Sequence, residues 1–227
     1  MSHSSTAVLS PQRVERGVKN LWLGLISVVA VFFIVKYAIR YYYLRDTPVQ
    51  LGLTWFRHLV LVTHISGGMI ALLVGPWQFS GALRRRYLRV HRLMGRIYLI
   101  SVGVASMAAL QLAITTIYGW AWGFGVGMLA VVWLSTSAIA FYAILRLQIK
   151  AHQEWMRRSY IATFAFVTVR LLTDLPPMNR LQPAHDAMIL SVWVCWALPM
   201  FALEVMGQLR QNHLSWRSRG DAQISRN

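Results

Sequence analysis

RRRYLRVHRLMGRIYLI, residues 84–100, sets six arginines (Arg84, Arg85, Arg86, Arg89, Arg92 and Arg96) around one histidine, His91, and then loses all charge until Arg146. A charge at the centre of a bilayer costs ~2.5–3.5 kcal/mol on insertion scales. A dense basic cluster feeding straight into a long uncharged run therefore marks a place where water ends and hydrocarbon begins. The rest of the chain agrees. Its 227 residues are 56% hydrophobic and 13% charged, with a mean hydropathy of +0.46, whereas a soluble domain carries about 25% charged residues. The formal net charge of +16 does not make it a nucleic-acid binder. The basic residues lie mostly between apolar runs, as topology signals and anionic-lipid contacts do.

Working outward from that boundary, a window of about 19 residues picks out six spans: about 21–43, 55–79, 94–118, 122–145, 155–175 and 187–209. Continuous apolarity without alternation predicts helices, not a barrel. In the first span Lys36 and Arg40 are expected to snorkel outward beside Tyr41, Tyr42 and Tyr43. The expected fold is an all-α polytopic membrane bundle of six transmembrane helices, with a four-helix core from helices 2–5. Residues 1–20 form an N-terminal tail, 21–209 the membrane domain and 210–227 a basic C-terminal tail. With six spans, the clusters at Arg13/Arg16/Lys19, Arg84–Arg96, Arg146–Arg158 and Arg210–Arg226 all fall on one side. The positive-inside rule then puts both termini in the cytoplasm. Cys195, the single cysteine, permits no internal disulfide and reads as a small core residue. The N-terminus lacks a signal peptide's pattern, so the first apolar run reads as a retained anchor.

Histidines carry the chemistry. His3 and His213 fall in polar tails. His91 and His152 each precede the apolar part of a helix by about one turn, on the third and fifth spans, which run the same way and are diagonal in a core of helices 2–5. Two imidazoles at one depth suit six-coordinate haem iron, one nitrogen from each side of the ring. Gly95, four residues after His91, would leave room for a flat ring, and Arg92, Arg96, Arg157 and Arg158 could meet propionates. A histidine in a headgroup region, or one bonding a backbone carbonyl, is the bland alternative. His64 should lie ~13 Å down the second helix, at the head of a lane of small residues (Gly68, Ala71, Gly75, with Gly67 beside it) that suits close packing or a cofactor. The fourth span has no histidine; Met128 there, or His185 before the sixth span, are candidate partners for His64. Arg170 and Asp174, four apart, are expected to pair and, with His64, to line an outer site for a haem, a quinone or a small acid. Glu204 should pair with a local arginine. The zinc-protease, nucleotide-binding and serine-hydrolase motifs are absent, and the few carboxylates make a non-haem metal enzyme the weakest class.

Three motifs in order, THISGGMIALLVGPWQF, VHRLMGRIYL and HQEWMRRSYIATFAFVTVRLLTD, resemble the bacterial membrane proteins grouped as domain of unknown function 2306, over about residues 55–175 and the sixth span. That family's characteristic positions fall on His64, Gly67, Gly75, His91, Arg92, Gly95, Arg96, His152, Trp155, Met156, Arg158 and Arg170; its name implies no activity. More loosely, the helix-borne histidines look like those of di-haem b-type transmembrane cytochromes, from which the histidine-free fourth span departs. The expectation is a b-type haem-binding transmembrane electron-transfer component or small reductase, with haem b on His91 and His152 and a second haem or quinone at His64. Its partners would be membrane lipids and a redox protein or quinone, not nucleic acid. The competing class is a small transporter, sensor or accessory subunit with a polar, proton-linked pocket.

Overall fold

Backbone polar groups inside a bilayer must be satisfied within the segment that carries them, so apolar runs of this length have to be helical. The computed structural model obeys this: it describes residues 11–39, 42, 55–174 and 184–224, and every regular element among them is a helix. The elements are α1 (Pro11–Phe33), continued by a π-helical turn (Ile34–Ala38), α2 (Trp55–Gln78), α3 (Gly81–Arg86), α4 (Leu88–Ile114), α5 (Trp120–Leu145), α6 (Ile149–Asp174) and α7 (Ala184–Ile224). Most of the proline-rich connection expected after the fifth span, residues 175–183, lies outside the described residues, as do Arg40, Tyr41 and Tyr43.

Among the described residues, five helices are long and apolar enough to cross a membrane: Leu21–Ala38, Trp55–Gln78, Leu88–Ile114, Trp120–Leu145 and Asp186–Leu209. At 1.5 Å per residue they reach ~27–40 Å, against a hydrocarbon core of ~30 Å. Many of their large apolar side chains are open to the surroundings, Leu21, Ile100, Ile114 and Phe201 among them, as lipid-facing residues must be. The fifth of the six expected spans falls in α6, which has the length but not the composition. Arg157, Arg158, Arg170 and Asp174 leave no uncharged stretch longer than 159–169. Its polarity has a structural counterpart: α6 packs against both α5 and α7, and Met156, Ser159, Tyr160, Ala162, Thr163, Ala165 and Val167 are buried.

The chain divides into two compact units, Met1–Ala109 and Leu110–Asn227. In the first, α2 meets α4 through small residues. Gly67 sits so close that a Cβ there would lie 2.9 Å from both the Ala105 Cβ and the Ser101 carbonyl oxygen. Ser101, Ala105 and Ala109, at every fourth position of α4, are all buried, the spacing that lets membrane helices approach. Lys36 stays exposed, with its ammonium 4.8 Å from the Tyr37 ring centre, and Tyr42 shares a 2.6 Å hydrogen bond with Ser66.

In the second unit α5 and α6 form an antiparallel hairpin. Leu147 ends α5 with φ of 57°, and its N–H and that of Gln148 close on the Ile144 and Ala143 carbonyls at 3.0 and 2.9 Å. This is the glycine-type Schellman stop made with leucine. The hairpin core is polar yet satisfied. Trp133 Nε1 donates to Thr163 Oγ1 at 2.8 Å. One turn along each helix, Ser137 and Ser159 share a 2.7 Å bond. Phe166 meets the Trp133 ring edge-on at 5.5 Å. Cys195 is buried on α7 as a small core residue, its thiol donating to the Val192 carbonyl.

Candidate functional site

The register of the α5–α6 hairpin carries the first site residue. Closer to the Leu147 turn than the Trp133–Thr163 and Ser137–Ser159 pairs, the His152 ring reaches the Ala140 carbonyl of α5. There His152 Nδ1 lies 2.8 Å from the Ala140 carbonyl oxygen. A carbonyl can only accept, so Nδ1 carries the proton and donates. The ring is thereby held in orientation, and Nε2 becomes the nitrogen turned to any further partner. His152 is half-buried, and among the described residues nothing hydrogen-bonds its Nε2. Nearly two turns further along α6, Arg158 binds Glu204 of α7 at 2.7 Å, with side chains 26% and 54% exposed. Its guanidinium also lies over Trp155, 5.0 Å from the ring centre. The arginine partner expected for Glu204 is therefore Arg158, which draws Arg158 away from the free anion-binding role foreseen for it. Arg170 and Asp174 stand one turn apart near the end of α6, both exposed. Met128 is half-buried on α5.

The first unit repeats the imidazole arrangement. His64 Nδ1 donates to the Ala105 carbonyl oxygen at 2.9 Å, on the α4 turn that Gly67 touches. The small-residue lane is thus used for packing, and its contact glycine is Gly67. Gly68, expected in line with His64, faces open space: nothing lies within 4 Å of the position a Cβ would take there. His91 lies in the first turn of α4, its N–H bonded to the Tyr87 carbonyl at 3.0 Å. The space above Gly95 is partly taken: Gln78 Oε1 lies 3.2 Å from where a Cβ would be. Arg92 and Arg96 are exposed. His58 meets the Trp55 ring edge-on at 6.4 Å. The side chains of His185 and His213 lie outside the described residues, as does His3.

These contacts define what the residues can hold. Among the described residues no three His, Cys, Asp or Glu side chains gather as metal ligands, so a metal bound by protein groups alone, which needs three or four of them, finds no such cluster. Haem asks for less, one axial nitrogen from each side, and an imidazole tethered through Nδ1 to a carbonyl is the form in which histidines ligate metals. His152 fits that donor role. Gln78 would have to swing aside for a ring to lie over Gly95, which the end of a flexible side chain can do. The carbonyls of Ala105 and Ala140 are invisible in the sequence, because a backbone acceptor leaves no trace in residue type.

A family model described as Predicted membrane protein (DUF2306) matches residues 61–206. The chain belongs to the DUF2306 family. That match spans α2 to α7 and all three histidines His64, His91 and His152. No curated protein and no solved structure matches the chain. The DUF2306 chain is accordingly an integral membrane protein with several apolar helices, and the family description adds no activity.

Proposed function

We propose that this DUF2306 protein is a b-type haem protein of six membrane crossings, both termini cytoplasmic, serving as an electron-transfer component or small reductase of a bacterial inner membrane. In this reading His91 and His152 hold an inner haem within a core of helices 2–5, and His64 with Arg170 forms an outer haem or quinone site. The observation that carries it is the His152 Nδ1–H bond to Ala140. It fixes the ring and its tautomer and makes Nε2 the nitrogen that would hold the haem iron. When bound, the haem supplies one-electron chemistry tuned by its ligands and burial. The chain's own residues orient the imidazoles, exclude water through the apolar helices and offer Arg92 and Arg96 to anionic groups. The sixth crossing is supported by α6 lying against α5 and α7, with Ser159 and Thr163 buried between the helices. An even count also gathers the basic clusters on one side.

A non-redox protein with a proton-linked polar site has its own support: Arg158 is engaged by Glu204 and Gln78 covers Gly95. The two readings part on the absorption spectrum of protein purified from haem-replete cells. The haem reading expects a Soret band and a sharp alpha band on dithionite reduction, lost in His91→Ala and His152→Ala and kept in His58→Ala. Colourless wild-type protein, or a spectrum indifferent to His152, refutes it.

A further inference from the structure

The connection between α2 and α4 is a concentration of positive charge that no ion pair among the described residues neutralises. Arg84, Arg85, Arg86, Arg89, Arg92 and Arg96 are all exposed, and none forms an ion pair among the described residues. The sequence explains why: no Asp or Glu occurs anywhere from Thr47 to Gln153. Two further features point to what the cluster meets. Apolar side chains are interleaved with the arginines and equally exposed: Tyr87 at 51%, Leu88 at 45%, Val90 at 44% and Leu93 at 57%. Beside them, at the end of α2, Gln78 Nε2 is buried with no hydrogen-bond acceptor among the described residues. Its carboxamide is set against Gly95, between Arg92 and Arg96 in sequence.

We propose that the segment Gln78–Arg96 is a binding site for the headgroup of anionic phospholipids. The phosphodiester would be held by the arginine cluster and by the Gln78 amide, with the glycerol and upper acyl region against Tyr87, Leu88, Val90 and Leu93. A free phosphate would satisfy the arginines but not the apolar side chains. A lipid offers both parts at once, and the geometry that keeps α3 short supports this. The helix starts on a Ser80 cap, whose hydroxyl accepts from the Leu83 N–H at 3.3 Å. It breaks at Tyr87 (φ −133°, ψ 62°), so Arg84–Arg86 and Arg89–Arg96 sit on separate helices flanking one bend. Arg86 lies over the Tyr87 ring at 5.4 Å, which orders its guanidinium.

The test uses the full chain in neutral detergent, with bound lipid counted by native mass spectrometry as phosphatidylglycerol or phosphatidylcholine is added. Phosphatidylglycerol should bind preferentially at low salt, and the preference should vanish at 1 M salt, where the screening length falls to ~3 Å. Each arginine near an anionic surface is worth roughly a fivefold change. The Arg84→Gln/Arg85→Gln/Arg86→Gln triple variant should therefore lose about a hundredfold of preference, and the corresponding triple lysine variant should keep most of it. Gln78→Leu should weaken phosphatidylglycerol binding severalfold while leaving phosphatidylcholine binding unchanged. Undiminished preference in the triple glutamine variant overturns the proposal. So does full displacement of the lipid by inorganic phosphate, which would mark a soluble-anion site, or a lack of lipid preference alongside capture of an added acidic protein. If the glutamine variant fails to fold, the wild-type salt series decides: a preference that survives 1 M salt is not electrostatic and sinks the site.

Discussion

Replacing Gly67 by alanine tests the α2–α4 contact against its nearest control, Gly68→Ala. At Gly67 the added methyl would lie 2.9 Å from the Ala105 Cβ, 2.9 Å from the Ser101 carbonyl oxygen and 3.4 Å from the Ala105 amide nitrogen. Two of these three atoms are helix backbone, so relief requires the helices to separate by several tenths of an ångström. That movement also stretches the His64–Ala105 bond of 2.9 Å. Overpacking of this kind costs ~1–3 kcal/mol, and alanine's helix propensity returns at most ~1 kcal/mol. From the middle of the overpacking range the net loss is ~1–2 kcal/mol, or a fall in Tm of roughly 2–8 °C for a chain of this size. At Gly68 nothing lies within 4 Å, so alanine there should leave Tm unchanged or raise it slightly. The assay is thermal unfolding of both variants in one detergent, followed by tryptophan fluorescence. A Gly67→Ala protein as stable as wild type, or a Gly68→Ala protein that falls as far, refutes the helix face assigned here.

Two more predictions concern the second unit. Leu147 holds a left-handed conformation at φ 57° while 82% exposed, so Leu147→Gly forfeits no packing and removes a strain of ~1–2 kcal/mol; Tm should rise, and a fall would show that the leucine makes a contact in the membrane that outweighs it. A double-mutant cycle on Ser137→Ala and Ser159→Ala should return a coupling of ~0.6–1.7 kcal/mol, the range for hydrogen bonds between membrane helices, with additive losses in Tm denying the 2.7 Å bond.

Residue order is most legible where one kind of physics dominates. Hydrocarbon excludes charge, so the limits of α2 and α5 and the start of α7 follow from hydropathy to within a few residues, whereas α7 runs on to Ile224, well past the expected end at 209; the basic cluster of Arg84–Arg96 marks a helix boundary without reference to any neighbour. α6 shows the limit of that argument. Its polarity belongs to a helix packed between two others, and hydropathy scores a helix as if it faced lipid all round. The Glu204 partner is a similar case: an arginine is foreseeable, and only packing of α6 against α7 selects Arg158, 46 residues away.

By itself the amino-acid sequence determined that this is a membrane protein of helices carrying histidines at His64, His91 and His152, since solvent partition depends on residue type along a local stretch. Tertiary structure decided the rest. A rotation of about 100° per residue separates Gly67, in contact with α4, from Gly68, in the open. The register of two hairpin helices decides that the Ala140 carbonyl receives the His152 proton. Neither follows from composition, because both depend on which backbone atoms a second helix brings within 3 Å.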